Sequence, residues 1–500
     1  MRNAEFEGGN PELGSPRPPL VPPDGPDNPN SEIRIPHSAV PGGKLELFKL
    51  ALPLILSQSF MTVQVFIDTI LLSWHNPDEM GATVPAVMWF WLFFGVLQVT
   101  AGYVSTFVAQ YTGAARPHRV GPAVWQGIHF AVLTGLLFLV VVPLAPYMIA
   151  AGGHDPASQR LQVIYLQYFA FAALPMLVMA AINGFFSGRG QTWTVLGIEA
   201  FGTAVNIGLA LLLIFGRWGF PEMGIAGAGL ATVVGSWAAA LFALTLFLRK
   251  RYRAEFHTAT WRLERDLFRR LMKFGGPAGM QVFLDVLVFH CFLLFVGRIG
   301  KAELGATSLT IRLNMIAFLP MMGLGQAVSI LVGQRLGENK PEVAEKSTYS
   351  GLALMFAYMT LVAAVYVLFP TFLVSGFKPD SDKAEELEKF ALIAAIVPTL
   401  LIYVAVYSVV DSVNLAFAFA LRGAGDTKFV TMLTFCLAWP LMVIPTYLTV
   451  RYGGSVYWCW AFATLHIFAM AVCFWFRFRG GKWKTMRVIE PAVVEEEKKN

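Results

Sequence analysis

Charge is scarce in this 500-residue sequence: Asp, Glu, Lys and Arg make up 14% of it, against 56% hydrophobic types. A water-soluble protein carries about a quarter charged residues because its whole surface faces solvent, so soluble multidomain architectures are excluded. Cysteine is scarcer still. Cys291, Cys436, Cys459 and Cys473 lie in apolar runs without metal-type spacing and read as small packing residues, not disulfides or ligands. A G-x-S-x-G elbow and an H-E-x-x-H pair are both missing, which removes the common signatures of an intramembrane enzyme. The short basic-then-apolar layout of a cleaved leader is missing too, since the first apolar run starts near Leu45 after a long polar stretch; the first helix is expected to insert by itself.

What the sequence has in abundance is apolar runs. They cover roughly 46–74, 84–112, 122–150, 159–187, 192–216, 224–249, 270–298, 304–335, 346–376, 388–421, 428–450 and 455–477. Each meets the roughly 20 residues a helix needs to cross a bilayer core of about 30 Å, and a spanning segment must satisfy its backbone internally. The expected fold is an all-α polytopic membrane protein, with twelve transmembrane helices in two pseudo-symmetric lobes of six.

The formal charge of +6 would suit nucleic acid, but its distribution argues for topology instead. With both ends on one side, the tails and even-numbered loops hold 29 of the 38 Lys and Arg, the opposite loops 8, and Arg312 lies within a run. Positive residues resist translocation. Both termini are therefore expected to be cytoplasmic, the chain to lie in the cell's inner (plasma) membrane, and no nucleic acid to be a partner. Residues 1–43 are expected to be a disordered cytoplasmic tail: Pro16-Arg17-Pro18-Pro19-Leu20-Val21-Pro22-Pro23 buries too little apolar area to offset ordering entropy, and its PxxP spacing suits an SH3-like groove only as a minor alternative. Residues 44–250 form the first lobe, 251–269 a basic cytoplasmic linker, 270–478 the second lobe and 479–500 a second cytoplasmic tail.

The halves repeat. At an offset of 224 residues Lys49 falls on Lys273, Pro53 on Pro277, Ser105 on Ser329, Gln110 on Gln334, Gly113 on Gly337 and Pro117 on Pro341. Gly188-Arg189-Gly190-Gln191-Thr192 recurs at an offset of 235 as Gly423-Ala424-Gly425-Asp426-Thr427. With six crossings per half, the two halves begin on the same side of the membrane, so the repeat axis lies along the membrane normal. A cleft between two such bundles is the usual place for a transported solute.

Leu52-Pro53-Leu54-Ile55-Leu56-Ser57-Gln58 with Phe66-Ile67-Asp68-Thr69-Ile70 resembles the first helix of the MATE (multidrug and toxic compound extrusion) transporters. Gly323-Leu324-Gly325-Gln326-Ala327 with Val332-Gly333-Gln334-Arg335-Leu336-Gly337, the stretch from Gly216 to Gly229, and Leu421-Arg422-Gly423-Ala424-Gly425-Asp426-Thr427 are similar to that family's other signatures. The likeness covers about residues 45–478. It implies secondary active efflux of amphipathic organic cations in exchange for Na+ or H+ by alternating access, with no cofactor beyond the coupling ion and the chain acting as a monomer in the lipid bilayer. A flippase for lipid-linked saccharides on the same superfamily scaffold is the alternative, and an intramembrane enzyme a remote one.

A carboxylate at membrane depth costs several kcal/mol unless paired, hydrated or protonated, so such residues are the default functional candidates. Asp68, Asp285 and Asp411, with Tyr407 one turn before Asp411, are the ion-coupling candidates; Asp285, Asp411 and Tyr407 would be the Na+ ligands if sodium is the coupling ion. Asp68 matches the family's first-helix aspartate, Asp285 stands where many relatives carry glutamate, and the Tyr407 and Asp411 pair resembles the cation site of sodium-coupled relatives. Glu199, Thr203 and Asn206 form a stripe at i, i+4 and i+7 that is expected to face Asp68, and with Asn314 they are the candidate substrate contacts. Arg312, a lone basic residue within a run, is expected to seek Asp285 or Asp411. His290 reads as a satisfied helix-interface histidine. Trp89-Phe90-Trp91 with Phe93-Phe94 suits either stacking on flat cations or an interfacial belt.

Overall fold

A computed structural model describes residues 40–152, 155–378 and 384–491; the PxxP segment lies outside them. Twelve helices are long and apolar enough to cross a membrane: α1 Lys44–His75, α2 Pro77–Gly113, α3 Pro117–Phe138, α4 Pro156–Gly188, α5 Thr192–Leu213, α6 Ile225–Phe247, α7 Arg265–Ile299, α8 Lys301–Gly337, α9 Pro341–Leu368, α10 Glu385–Ala424, α11 Thr427–Arg451 and α12 Val456–Arg479. Among the described residues there is no strand. The chain is a multi-pass membrane protein.

Helix boundaries follow local chemistry. Asp155 caps α4 by accepting from the Ala157 and Ser158 amides, with Pro156 at the first helical position, where a missing N–H costs nothing. Asn76 with Pro77 does the same for α2. The apolar run 122–150 breaks at Leu139–Val140 into α3 and a short helix Val141–Ala150, because Pro143 removes a backbone donor and its ring crowds the carbonyl of Leu139 four residues earlier. Phe369, held away from helical geometry by Pro370, likewise cuts 346–376. The stretch expected as a linker over 251–269 carries a short helix, Lys250–Phe256, and the first turn of α7.

The apolar cores interlock between the halves. Leu47, Leu50, Ala51 and Leu54 of α1 are buried in a cluster otherwise built mainly from α8, α9, α10 and α12. Leu267, Leu271 and Ala278 of α7 are buried in a cluster built mainly from α2, α3, α4 and α6. Each half thus lends the start of its first helix to the other.

The sequence repeat becomes a symmetric seam at the end of the bundle where α1 begins and α12 ends, called here the terminal face. Gln110 Nε2 donates to the Gly423 carbonyl at 3.0 Å, and its repeat mate Gln334 donates to the Gly188 carbonyl at 2.8 Å. Only glycine fits at the paired positions Gly113 and Gly337. A Cβ on Gly113 would stand 2.8 Å from the Gln334 carbonyl carbon, and one on Gly337 would stand 2.9 Å from the Ala114 amide. Arg335 of α8 pairs with Glu46 of α1, and the Ser350 hydroxyl donates to the Gly42 carbonyl at 2.7 Å. The terminal face is closed by backbone-to-backbone packing.

Candidate functional site

Two groups of polar side chains lie within the apolar bundle. In the first half Asp68 is only 4% exposed, and its Oδ1 is buried without a hydrogen-bond partner. Tyr165 of α4 is within electrostatic range of it. α1 packs along α5, but the α5 stripe is spent elsewhere. Glu199 accepts from Asn183 Nδ2 of α4 at 2.8 Å, and Asn206 Nδ2 donates to the Thr232 hydroxyl of α6 at 3.2 Å. Asn206 Oδ1 stays buried without a partner, and Thr203 is buried. No hydrogen bond among the described residues joins Asp68 to Glu199, Thr203 or Asn206.

In the second half the structure brings the predicted residues together. Asp411 is buried and accepts from Asn414 Nδ2 at 2.8 Å, one turn along the same face of α10. Tyr407, within electrostatic range of Asp411, accepts at its hydroxyl from Asn314 Nδ2 of α8 at 3.0 Å. The Ser408 hydroxyl lies 3.4 Å from Asn314 Oδ1. Tyr407 also stacks on Trp460 of α12, with ring centroids 6.3 Å apart. Asp285 of α7 feels the charges of both Asp411 and Arg422. Its side chain is exposed on α7.

Arg312 does not behave as expected. It is exposed on α8 and makes no ion pair with Asp285 or Asp411 among the described residues. The cation beside Asp285 is Arg422, whose Nε donates to Gln281 Oε1 at 3.3 Å. The reason is helical phase: Arg312 lies beside exposed Met315 and Ile316, while Arg422, eleven residues after Asp411 and so three turns along one face, reaches Gln281, one turn before Asp285 on α7. In the sequence Arg422 stands out only as part of a signature. Gln281 at i−4 from Asp285 and Asn414 at i+3 from Asp411 are findable by the same-face rule; nothing in the sequence points to Asn183.

Other candidates resolve into packing. His290 Nδ1 lies 2.8 Å from the Val286 carbonyl of its own helix. Phe90 and Phe94 are buried against Phe138, and Phe90 also against Phe169, so this part of the aromatic run is core; Phe93 alone of the run is largely exposed. The four cysteines are free. A groove of about 700 Å³ between α2, α7 and α11 is apolar, and Lys428 is the charged residue among those that line it.

The acids therefore line two sites, one per half, and no ion pair among the described residues involves Asp68, Asp285 or Asp411. Among the described residues no three His, Cys, Asp or Glu side chains converge. The donors present at Asp411, Tyr407 and Asn414 are all hard oxygens.

Comparison with known proteins places the scaffold. The MatE family model matches residues 53–212 and 277–448, one block in each half. The chain belongs to the MatE family. It is similar to a probable multidrug resistance protein NorM of Mesorhizobium japonicum, at 28% identity over 385 residues, 76% of this chain and 81% of that protein. It is 27% identical over 400 residues to the multidrug resistance protein NorM of Vibrio cholerae, covering 79% and 85% of the two chains. Among solved structures, the outward-facing conformation of a multidrug resistance MATE family transporter superposes with a TM-score of 0.79 at 18% identity, covering 89% of this MatE chain and 97% of that one. A MOP superfamily transporter from Pyrococcus furiosus superposes at 0.78 with the same identity, covering 89% and 98%. At such identities the superpositions speak for the fold of this MatE protein alone.

Proposed function

We propose that this MatE protein is a secondary active multidrug efflux transporter, in which organic cations and the coupling ion, Na+ or H+, take turns at buried carboxylates. The observation that carries the reading is the bare Asp68 carboxylate, buried with an unpartnered oxygen and with no basic neighbour among the described residues. A negative group held in low dielectric needs a visitor, and a proton, a small metal cation and an organic cation each serve while excluding one another. Asp411 with Tyr407 and the unpartnered Asn414 Oδ1 offers an oxygen set for Na+, with Asp285 as the exposed acid of the same half. Asn314, held by Tyr407, is placed to report occupancy of that set to α8. Glu199, Thr203 and Asn206 contribute polar surface to cargo in the first half once α1 and α5 shift.

Exchange follows from exclusion. An ion entering from outside neutralises the acids and releases cargo outward; reopening toward the cytoplasm resets the site. The closed terminal face matches the outward-facing stage of that cycle, with the terminal face cytoplasmic and the protein in the inner membrane. Against a pyrophosphate-linked saccharide as cargo stands the balance of charge in the two sites: Asp68, Asp285, Asp411 and Glu199 outnumber Arg422. In proteoliposomes, imposing Na+ and pH gradients separately is expected to drive extrusion of a cationic dye with one of the two. Asp68→Asn, Asp285→Asn and Asp411→Asn should each slow it at least tenfold; undiminished rates in all three would refute the scheme.

A further inference from the structure

The chain does not leave the bundle after α12. Gly481 turns it with φ at 70°, and Trp483 is then driven fully into the core of the second half, stacked on Phe478 at 4.5 Å with its indole N–H donating to the Phe478 carbonyl at 2.7 Å. Lys484 pairs with Glu345 of α9 at 2.6 Å, and Arg487 donates to Asn339 Oδ1 at 3.3 Å. These contacts all belong to the second half.

At Val488 the chain straddles the seam, its carbonyl accepting from Arg270 Nη1 of α7 at 3.3 Å and its side chain lying against Gly425, and from there the partners are mainly those of the first half. Val488 and Ile489 are buried in the apolar cluster of α2, α3, α4 and α6. The Val488 amide donates to Gln110 Oε1 at 2.8 Å, the same glutamine whose other end holds Gly423. Glu490 accepts from the Tyr111 hydroxyl at 2.5 Å and from Arg119 Nε at 3.0 Å, while Arg116 donates to its carbonyl at 3.0 Å. Twelve residues thus bridge the two halves over the seam. The two ends are unequal: one is a buried indole, the other a short apolar pair and a partly exposed carboxylate cluster.

We propose that residues 480–491 form a releasable latch, anchored in the second half by Trp483, which must let go of the first half before the terminal face opens. This rests on the alternating-access reading above. Separating Gln110 from Gly423 pulls on the same side chain that holds Val488, so seam and latch release together. The hinge is the extended stretch around Met486 (φ −76°, ψ 142°), and the charged cluster is the part water can enter.

The test uses the full chain with its four cysteines replaced by serine and Val488→Cys as reporter, in inside-out membrane vesicles, labelled with a membrane-impermeant maleimide. At rest, labelling is expected to be at least tenfold slower than at an exposed His118→Cys. Glu490→Gln should speed it several-fold, and Glu490→Asp, which keeps the charge facing Tyr111 and Arg119, should retain most of the protection, which a misfolded protein would not do. Sustained dye transport should also speed it. Labelling at rest as fast as at His118→Cys, or protection that persists unaltered through turnover, overturns the latch. If no gradient moves dye, the exchange reading falls by itself, and the Glu490→Gln and Glu490→Asp arms decide the latch: release in the neutral variant alone upholds it, and any other pattern overturns it.

Discussion

Replacing Gly113 by alanine should push the terminal face open. The added Cβ would lie 2.8 Å from the Gln334 carbonyl carbon and 3.1 Å from its Cα, with the carbonyl oxygen nearer still. Carbon atoms rest at about 3.5–4.0 Å, so α2 and α8 must part by roughly an ångström there. Backbone on both sides leaves no flexible side chain to yield. Forced overpacking of this kind costs about 1–3 kcal/mol, and it falls only on the closed state, since the two helices no longer touch once the halves separate. That is a roughly five- to 150-fold shift of the closed-to-open ratio. Spin labels at exposed His118→Cys and Lys340→Cys, in a background with the native cysteines replaced, should show a longer-distance population growing in Gly113→Ala. Gly81→Ala is the control: it also lies in α2, nothing stands within 4 Å of its Cβ, and alanine should stabilise the helix by about 0.5–1 kcal/mol. An unchanged distance distribution in Gly113→Ala, with unchanged thermal stability, would refute the claim that glycine is required by close packing between the halves.

Arg422→Gln removes the cation that, among the described residues, acts on Asp285, while leaving the carbonyl that accepts from the Tyr103 hydroxyl. Losing a like charge at electrostatic range should tighten binding of a cationic dye several-fold, read as Kd by fluorescence; an unaltered Kd would detach Arg422 from the site. Trp483→Ala deletes a fully buried aromatic and should cost about 3–5 kcal/mol, visible as a drop of several degrees in thermal unfolding in detergent, whereas Trp261→Ala, at 71% exposure, should leave it unmoved. Burial alone would raise the Glu490 carboxyl, but the Tyr111 hydroxyl and Arg119 outweigh it and hold it below the usual carboxylate range. A depressed acid contributes stability that is present above its unfolded value and lost as pH falls through the folded one. Protection of Val488→Cys against a pH-independent alkylating probe should therefore survive mild acid and fail only below the ordinary glutamate range; release already near pH 6 would contradict the assignment.

The membrane class, the number of spans and the duplication are legible in the sequence because each rests on a signal that accumulates along the chain. Twenty apolar residues in a row have one stable fate in a bilayer, and a repeat such as Gln110 with Gln334 is read by alignment alone. The acids are legible for the same reason, since a carboxylate among apolar neighbours is conspicuous without coordinates. Breaks within runs are legible in part: Pro143 marks the end of α3, but whether a proline bends a helix or cuts it depends on what packs beside it, as uncut Pro53 in α1 shows.

Partner choice was decided by tertiary structure. Arg312 and Arg422 look alike in sequence, one within a run and one near its end, yet only the second reaches Asp285. The deciding quantity is the rotation of each helix about its axis, which packing sets and composition does not. The same holds for Glu199, which found Asn183 and not Asp68, and for residues 480–491, whose polar sequence reads as a tail. Side-chain identity along the chain determined where charge must be buried and how many times the bilayer is crossed. Which buried groups meet, and that the segment after α12 ties the halves together, depended on distances between segments hundreds of residues apart, and such distances exist only once the bundle has closed.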